Sequence, residues 1–307
     1  MNTSENGQRP SLAIIIVNWN SYNVTAPCLA SIRSLNYSNY EVVLVDNGSE
    51  DGSGEDLKKN FPEIIFLKNE KNLGFTGGNN TGIRYAIDQH FDLIMLLNND
   101  TIIDPSFAST LIDTLENDKS IGAIQPKILY NQERNIIWNA GGELNQFFFL
   151  TKPIGLDEKD IGQYDQPKEV DWITGCCFLV RTEIISKIGP LDDKFFIYYE
   201  DSDWSFKIRL EGHKLWYEPS AKIYHEVGMS NRNRSGHNEG NISPFTRYQI
   251  IRNHFFMVRR YSKGFNKIGA YSNQILKVSM YMAYFLIRGR FQKLKAVYKG
   301  VIDGLTM

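Results

Sequence analysis

Residues 12–17 form an unbroken apolar run, Leu-Ala-Ile-Ile-Ile-Val, which stops at Asn18-Trp19-Asn20. A β-branched run without polar alternation predicts a strand covered on both faces, as in a parallel sheet. Shorter runs of the same kind recur at 42–45, 64–67 and 93–97, and residues 24–34 and 77–90 read as helices. Strands alternating with helices at this spacing predict right-handed crossovers and a mostly parallel sheet. Ligands of such sheets bind beyond the carboxyl ends of the strands. The polar clusters fall there: 18–20, 46–49, 69–78 and 98–100.

The second half is less regular. Residues 105–116 read as a helix with Pro105 in its first turn, where proline is tolerated. Strands are expected over 122–130, 136–141, 172–180 and 221–225, a helix over 200–211, and a polar excursion over 157–169. Beyond Ser243 the pattern is helical, broken at Gly264 and again near Gly289. The expected organisation is a disordered tail (1–11), one α/β domain (12–242, its halves meeting near 104/105) and a basic helical region (243–307).

The chain of 307 residues is 42% hydrophobic and 13% aromatic, enough for a substantial core. Its net charge of −1 conceals a division: residues 252–307 carry eleven Lys or Arg against Asp303 alone, +10, leaving −11 for the rest. A basic tail with interleaved aromatics, among them Tyr281, Tyr284, Phe285 and Phe291, predicts helices lying on an anionic membrane face. A homodimer-forming helix pair is the alternative, and a solvated helical surface the plainer one. The longest apolar stretch in the tail, 278–287, is about half of the ~20 residues a membrane span needs. Cys28 and the adjacent Cys176-Cys177 have neither disulfide-framework nor zinc spacing, which fits a reducing cytosol. The polar first eleven residues show no signal-peptide core. The expected location is therefore cytoplasmic, peripheral on the inner membrane face, with no nucleic-acid partner.

Four features are candidates for chemistry. Asn98-Asn99-Asp100 closes a buried strand, where an Asp is placed to hold a hard divalent cation, although a plain Asx turn explains the same letters. Glu200, Asp201 and Asp203 follow an aromatic run, Phe195 to Tyr199; capping of a helix dipole explains them, as does a base with a raised pKa. His225 ends a short apolar stretch and could be structural or complete a metal shell. The glycine-rich 74–82 opens a helix, as anion sites do, but is neither a dinucleotide fingerprint nor a P-loop.

Taken in order, these stretches resemble glycosyltransferase family 2, and within it the rhamnosyltransferase-like branch. The matches are I-I-I-V-N-W-N from Ile14, V-L-V-D-N-G-S-E-D-G from Val43, N-L-G-F-T-G-G-N-N from Asn72 and L-L-N-N-D from Leu96. They continue with I-T-G-C-C-F-L-V-R from Ile173, G-P-L-D-D-K-F-F-I-Y-Y-E-D-S-D-W from Gly189 and H-E-V-G-M-S from His225. The resemblance implies a GT-A fold, an α/β architecture with a mostly parallel central sheet flanked by helices, here with a C-terminal helical appendage. It implies an inverting, metal-dependent enzyme using a dTDP- or UDP-linked sugar, such as rhamnose, and a saccharide or polyprenyl-linked acceptor for cell-surface polysaccharide. Asp201 would be the general base. Asn18, Asn20, Asp46, Asn47, Ser49, Gly74, Asn79, Asn98, Asn99 and Asp100 would bind the donor, and Glu200 and Trp172 the acceptor, with loops of 146–169. Asp100 and His225 would hold Mg²⁺ or Mn²⁺; Asn98 replaces the usual first acid and adds no charge. The competing readings are a non-catalytic nucleotide-sugar-binding scaffold of a polysaccharide assembly complex and a sugar-phosphate nucleotidyltransferase.

Overall fold

The computed structural model describes residues 9–226 and 242–307. Strands β1 (Leu12–Asn18), β2 (Tyr40–Asp46), β3 (Ile65–Lys68) and β4 (Leu93–Leu97) are parallel, in the order β4-β1-β2-β3. Helices α1 (Tyr22–Ile32), α2 (Ser53–Asn60) and α3 (Gly74–Asp88) connect them. Leu12, Ile14 and Ile16 pack with Cys28, Leu29 and Leu57 on one face, while Ala13 and Ile15 meet Ile83 and Ala86 on the other. Both faces of β1 are thus covered, which is why its sequence does not alternate.

The chain continues through β5 (Thr101–Ile103), α4 (Phe107–Asn117), β6 (Ile121–Tyr130) and β7 (Ile137–Asn139). A hairpin, β8 (Gly142–Asn145) and β9 (Leu150–Pro153), leads to β10 (Lys168–Glu169) and β11 (Cys177–Arg181). Helices α5 (Thr182–Ile188) and α6 (Glu200–Leu210) precede β12 (Lys214–His225). The sheet order is β10-β12-β6-β11-β4-β1-β2-β3, with β5 beside β12 and β7 beside β6. Along that path only β11 and β10 run against the others. Helix α4 shares the core of α1 and α2, whereas α5 and α6 share that of α3.

Several expectations change here. The strand expected over 172–180 begins only at Cys177. The amides of Ile173, Thr174 and Gly175 donate instead to the side chains of Ser205, Gln125 and Asp201, so they are satisfied without a ladder. Helix α2 gave little signal because Leu57 is its sole apolar anchor, and the β8–β9 hairpin interrupts what reads as a loop. Strand β12 starts at Lys214 rather than 221. At the amino end, Ser11 is tied to Asp92 through its amide (2.7 Å) and hydroxyl (2.8 Å), and Pro10 accepts from Tyr37; residues 1–8 of the expected tail lie outside the described residues. The V-G-M-S of the last motif lies outside them too.

Helices α7 (Pro244–Tyr261), α8 (Gly264–Ile287) and α9 (Phe291–Thr306) complete the chain. Ser243 caps α7, its hydroxyl accepting from the Thr246 amide at 3.0 Å, with Pro244 in the first turn. Phe256, Met257 and Val258 of α7 pack with Phe149, Phe195 and Phe206. Arg260 and Tyr261 bond Asp203, fully buried in α6, at 2.7 and 2.6 Å. The basic region is therefore fastened to the acidic helix rather than merely appended. Helices α8 and α9 pack on α7 through Ile251, Phe255, Val278, Phe285 and Val297.

Candidate functional site

The register of β1 on β2 makes Asn18 and Asp46 partners at the carboxyl edge of the sheet. Asn18, fully buried, donates from Nδ2 to Asp46 (3.2 Å), Ser49 (3.2 Å) and Ser53 (3.0 Å), and its Oδ1 accepts from Thr25 (2.9 Å). Asn99 donates to that same Thr25 hydroxyl at 2.8 Å. A continuous chain of bonds thus joins the ends of β2, β1 and β4. Ser49 also accepts from the Asn20 amide, and Asn20 from that of Glu50, both at 2.9 Å. Asp46 lies so close to the first turn of α2 that a Cβ on Gly54 would stand 2.4 Å from its carboxyl carbon.

Asn47 is a buried clasp. Its Nδ2 donates to Asn72 (3.1 Å) and the Gly74 carbonyl (3.0 Å), while its Oδ1 accepts from Asn69 (3.0 Å) and the Leu73 amide (3.1 Å). The glycine-rich segment opens α3, and two of its first amides are engaged: Gly74 by Asn72 at 2.8 Å, Thr76 by the Phe196 carbonyl at 3.1 Å. A Cβ on Gly74 would lie 2.5 Å from that carbonyl oxygen, so close packing accounts for this glycine without an anion. Asn79, buried, donates to the Phe75 carbonyl in its own helix at 2.8 Å.

Asp100 and His225, distant in sequence, meet because β12 pairs with β5 in the register His225 to Thr101. Asp100 Oδ1 and His225 Nε2 are 3.0 Å apart, their side chains 9% and 7% exposed. Despite that distance Oδ1 lacks hydrogen-bond geometry, and Nδ1 of the ring has no partner. Two donor atoms about 3 Å apart also suit neighbouring positions around an octahedral ion with ligand bonds of ~2.1 Å. The pair therefore fits a divalent cation, to which Asn98 can add no charge. Among the described residues no cluster of three His, Cys, Asp or Glu forms.

Asp201 reaches the same edge. Its Oδ2 accepts from the Gly175 amide (3.0 Å), and the next residue, Cys176, accepts from the Asn98 amide at 2.9 Å. Its Oδ1 accepts from the Ser202 amide (2.6 Å) and hydroxyl (3.3 Å). Glu200 is buried and its Oε2 has no partner. Burial, and then the neighbouring Asp201 charge, push the Glu200 carboxyl well above the usual range. Burial also raises Asp201, but the donors aimed at it oppose the shift. Asp201 is therefore the member of the pair that ionises first.

Sequence reading missed the strain in front of this pair. Phe196, Tyr198 and Tyr199 have φ of +62°, +72° and +73°. Left-handed backbone at bulky residues costs about 1–3 kcal/mol each and gathers at functional sites. No sequence signal marks it beyond the aromatic run itself. Trp172, expected at the acceptor, is buried and paired to Gly142, and its indole N–H donates to the Glu143 carbonyl at 3.2 Å. Its polar end is thus occupied beneath the hairpin.

The family described as glycosyl transferase family 2 matches residues 13–189. The chain is 29% identical over 203 residues to the low-salt glycan biosynthesis hexosyltransferase Agl10 of Haloferax volcanii, covering 65% of this chain and 62% of that one. It is 25% identical over 219 residues to the N-acetylglucosaminyl-diphospho-decaprenol L-rhamnosyltransferase of Mycobacterium tuberculosis, covering 66% and 71%. The crystal structure of GalNAc-T7 with UDP, GalNAc and Mn²⁺ superposes with a TM-score of 0.62 at 17% identity, over 85% of this chain and 54% of that one. At that identity the likeness speaks for the fold, which is GT-A.

Proposed function

This chain belongs to glycosyl transferase family 2, and we propose from that premise that it transfers a sugar from a nucleoside diphosphate to a hydroxyl acceptor with inversion at the anomeric carbon. The observation that carries the reading is the meeting, at one sheet edge, of Asp201 with the Asp100–His225 pair through Gly175, Cys176 and Asn98. Asp201 takes the hydroxyl proton as the acceptor oxygen bonds to the anomeric carbon and the diphosphate oxygen leaves from the opposite face. Glu200, holding its proton, donates a hydrogen bond to a sugar hydroxyl. A divalent cation held by Asp100 and His225, Mg²⁺ or Mn²⁺, would neutralise charge on the leaving diphosphate. The cluster of Asn18, Asn20, Asp46, Ser49 and Asn99 holds the nucleoside, with Asn47 fixing the loop around it.

The rhamnosyltransferase among the relatives favours a dTDP-linked 6-deoxyhexose, with a UDP-linked sugar as the second candidate, and an acceptor in glycan assembly. The donor is tested by thermal unfolding against dTDP-, UDP- and GDP-linked sugars with and without Mn²⁺. A ligand at 100 times its Kd stabilises by about 2.7 kcal/mol, which is ~4 °C in a chain of 307 residues. A pyrimidine-linked sugar with metal should give that shift; a flat panel would count against a nucleotide-sugar site.

The second element of the reading is an anionic membrane surface. No helix among the described residues is long and apolar enough to cross a membrane. Helix α8 instead turns apolar residues outward: Phe265, Ile268, Ile275, Leu276, Met280 and Ile287 are 58% to 83% exposed, whereas Gln274 is buried inward. An outward apolar face on a helix followed at once by Arg288 and Arg290 suits an anionic leaflet. Two copies joined there would bring two +10 regions together, which disfavours a homodimer. Wild type should float with phosphatidylglycerol liposomes and release in high salt, and Ile275→Asp/Leu276→Asp should remain at the bottom. Doubled mass in light scattering, with no flotation, would assign the face to a second copy.

A further inference from the structure

The left-handed turn ahead of the acidic pair is held by the C-terminal region. Asn253 of α7, fully buried, shares the two hydrogens of its carboxamide nitrogen among three carbonyls of that turn: Phe195 (3.2 Å), Ile197 (2.9 Å) and Tyr198 (2.7 Å). Its Oδ1 accepts from Arg252 Nε at 2.8 Å, and Arg252 Nη2 donates to the carbonyls of Lys194 and Phe195, both at 2.8 Å. Tyr199 stacks on His254, ring centroids 5.3 Å apart, and His254 contacts the Phe149 carbonyl and Gln274 at 2.8 and 2.9 Å. From the other side the Thr76 amide holds the Phe196 carbonyl. The carbonyls of this turn are thus collected largely by α7, with Asn253 taking three of them and Arg252 two.

We propose that Asn253 is a positioning residue for the reaction. It locks residues 195–199, with Phe196, Tyr198 and Tyr199 left-handed, in the conformation that aims the first turn of α6, and so Asp201, at the sheet edge. The proposal rests on the reading of Asp201 as the base. It makes the basic region part of the catalytic architecture, with a role separate from its outward face.

Asn253→Asp tests this. It keeps the size of the side chain and the acceptor for Arg252 but sets a carboxylate oxygen against three carbonyls. A displacement on the order of 1 Å in a reacting group costs about 100-fold in rate. Transfer kcat should fall by about that factor with donor KM unchanged, because the donor cluster sits on β1, β2 and β4, away from α7. The double variant with Asp201→Asn should be no slower than Asp201→Asn alone, since both losses pass through one carboxylate. Multiplying losses, or an equal loss of donor affinity, would overturn the proposal, as would wild-type turnover in Asn253→Asp when Asp201→Asn is inactive. A fully active Asp201→Asn would overturn the base assignment itself, and this proposal with it. If Asn253→Asp does not fold, the half-buried Arg252→Gln carries the test. It loses two bonds to the same turn, and kcat should fall by roughly 10-fold at constant donor KM; an unchanged kcat would overturn the proposal.

Discussion

Asp201→Asn is expected to lower transfer by about 10³-fold while leaving donor affinity largely unchanged. The amide cannot take the acceptor proton, yet it sits on α6, outside the bonds that join Asp46, Asn18, Thr25 and Asn99. One of its two ends must also face a donor, Gly175 N–H or the Ser202 N–H, so a small fall in thermal stability should accompany the loss. A pH profile separates the two effects. Burial raises the Asp201 carboxyl, and a base works only when ionised, so wild-type kcat/KM should fall with decreasing pH at a limb above the ordinary aspartate range. Residual activity of the variant should lack that limb. Steady-state transfer at matched donor saturation measures both, and an unaltered rate would remove Asp201 from the base role.

The second large effect is expected at Asp100. Asp100→Ala deletes one of two side chains that meet at 3.0 Å and leaves His225 buried beside Trp138, whose ring centroid is 4.4 Å away. Turnover should fall by roughly 10²- to 10³-fold, the scale on which one electrostatic stabiliser of a leaving group acts. Donor affinity measured with and without Mn²⁺ supplies the sign. In wild type the metal should tighten binding, and in the variant the two titrations should coincide. Undiminished turnover would sink the metal assignment.

Much of the amino-terminal half was legible in the sequence because its strands are buried on both faces and end in polar clusters. That pattern placed Asn18, Asp46 and Asn98 at one edge. What the sequence does not carry is pairing between distant strands. Asp100 meets His225 through the β5–β12 register, and Asp201 reaches Asn98 through Gly175 and Cys176, residues that read as strand. The glycines at 74–82 are ambiguous in sequence, because close packing and anion binding favour the same residue. Trp172 is ambiguous likewise, since an indole suits both a sugar face and a core. Asn253 was invisible: a lone polar letter in a helical run says nothing of three carbonyls 55 to 58 residues away.

The most direct measurement follows release of nucleoside diphosphate from the donor that stabilises the protein, with Mn²⁺ present, in wild type and Asp201→Asn side by side. Wild type is expected to release diphosphate at a rate that rises when a hydroxyl acceptor is added, and the variant to bind the donor but release almost none. Equal rates in the two proteins, or no release from a donor-bound wild type given acceptor, would contradict a transferase built on Asp201.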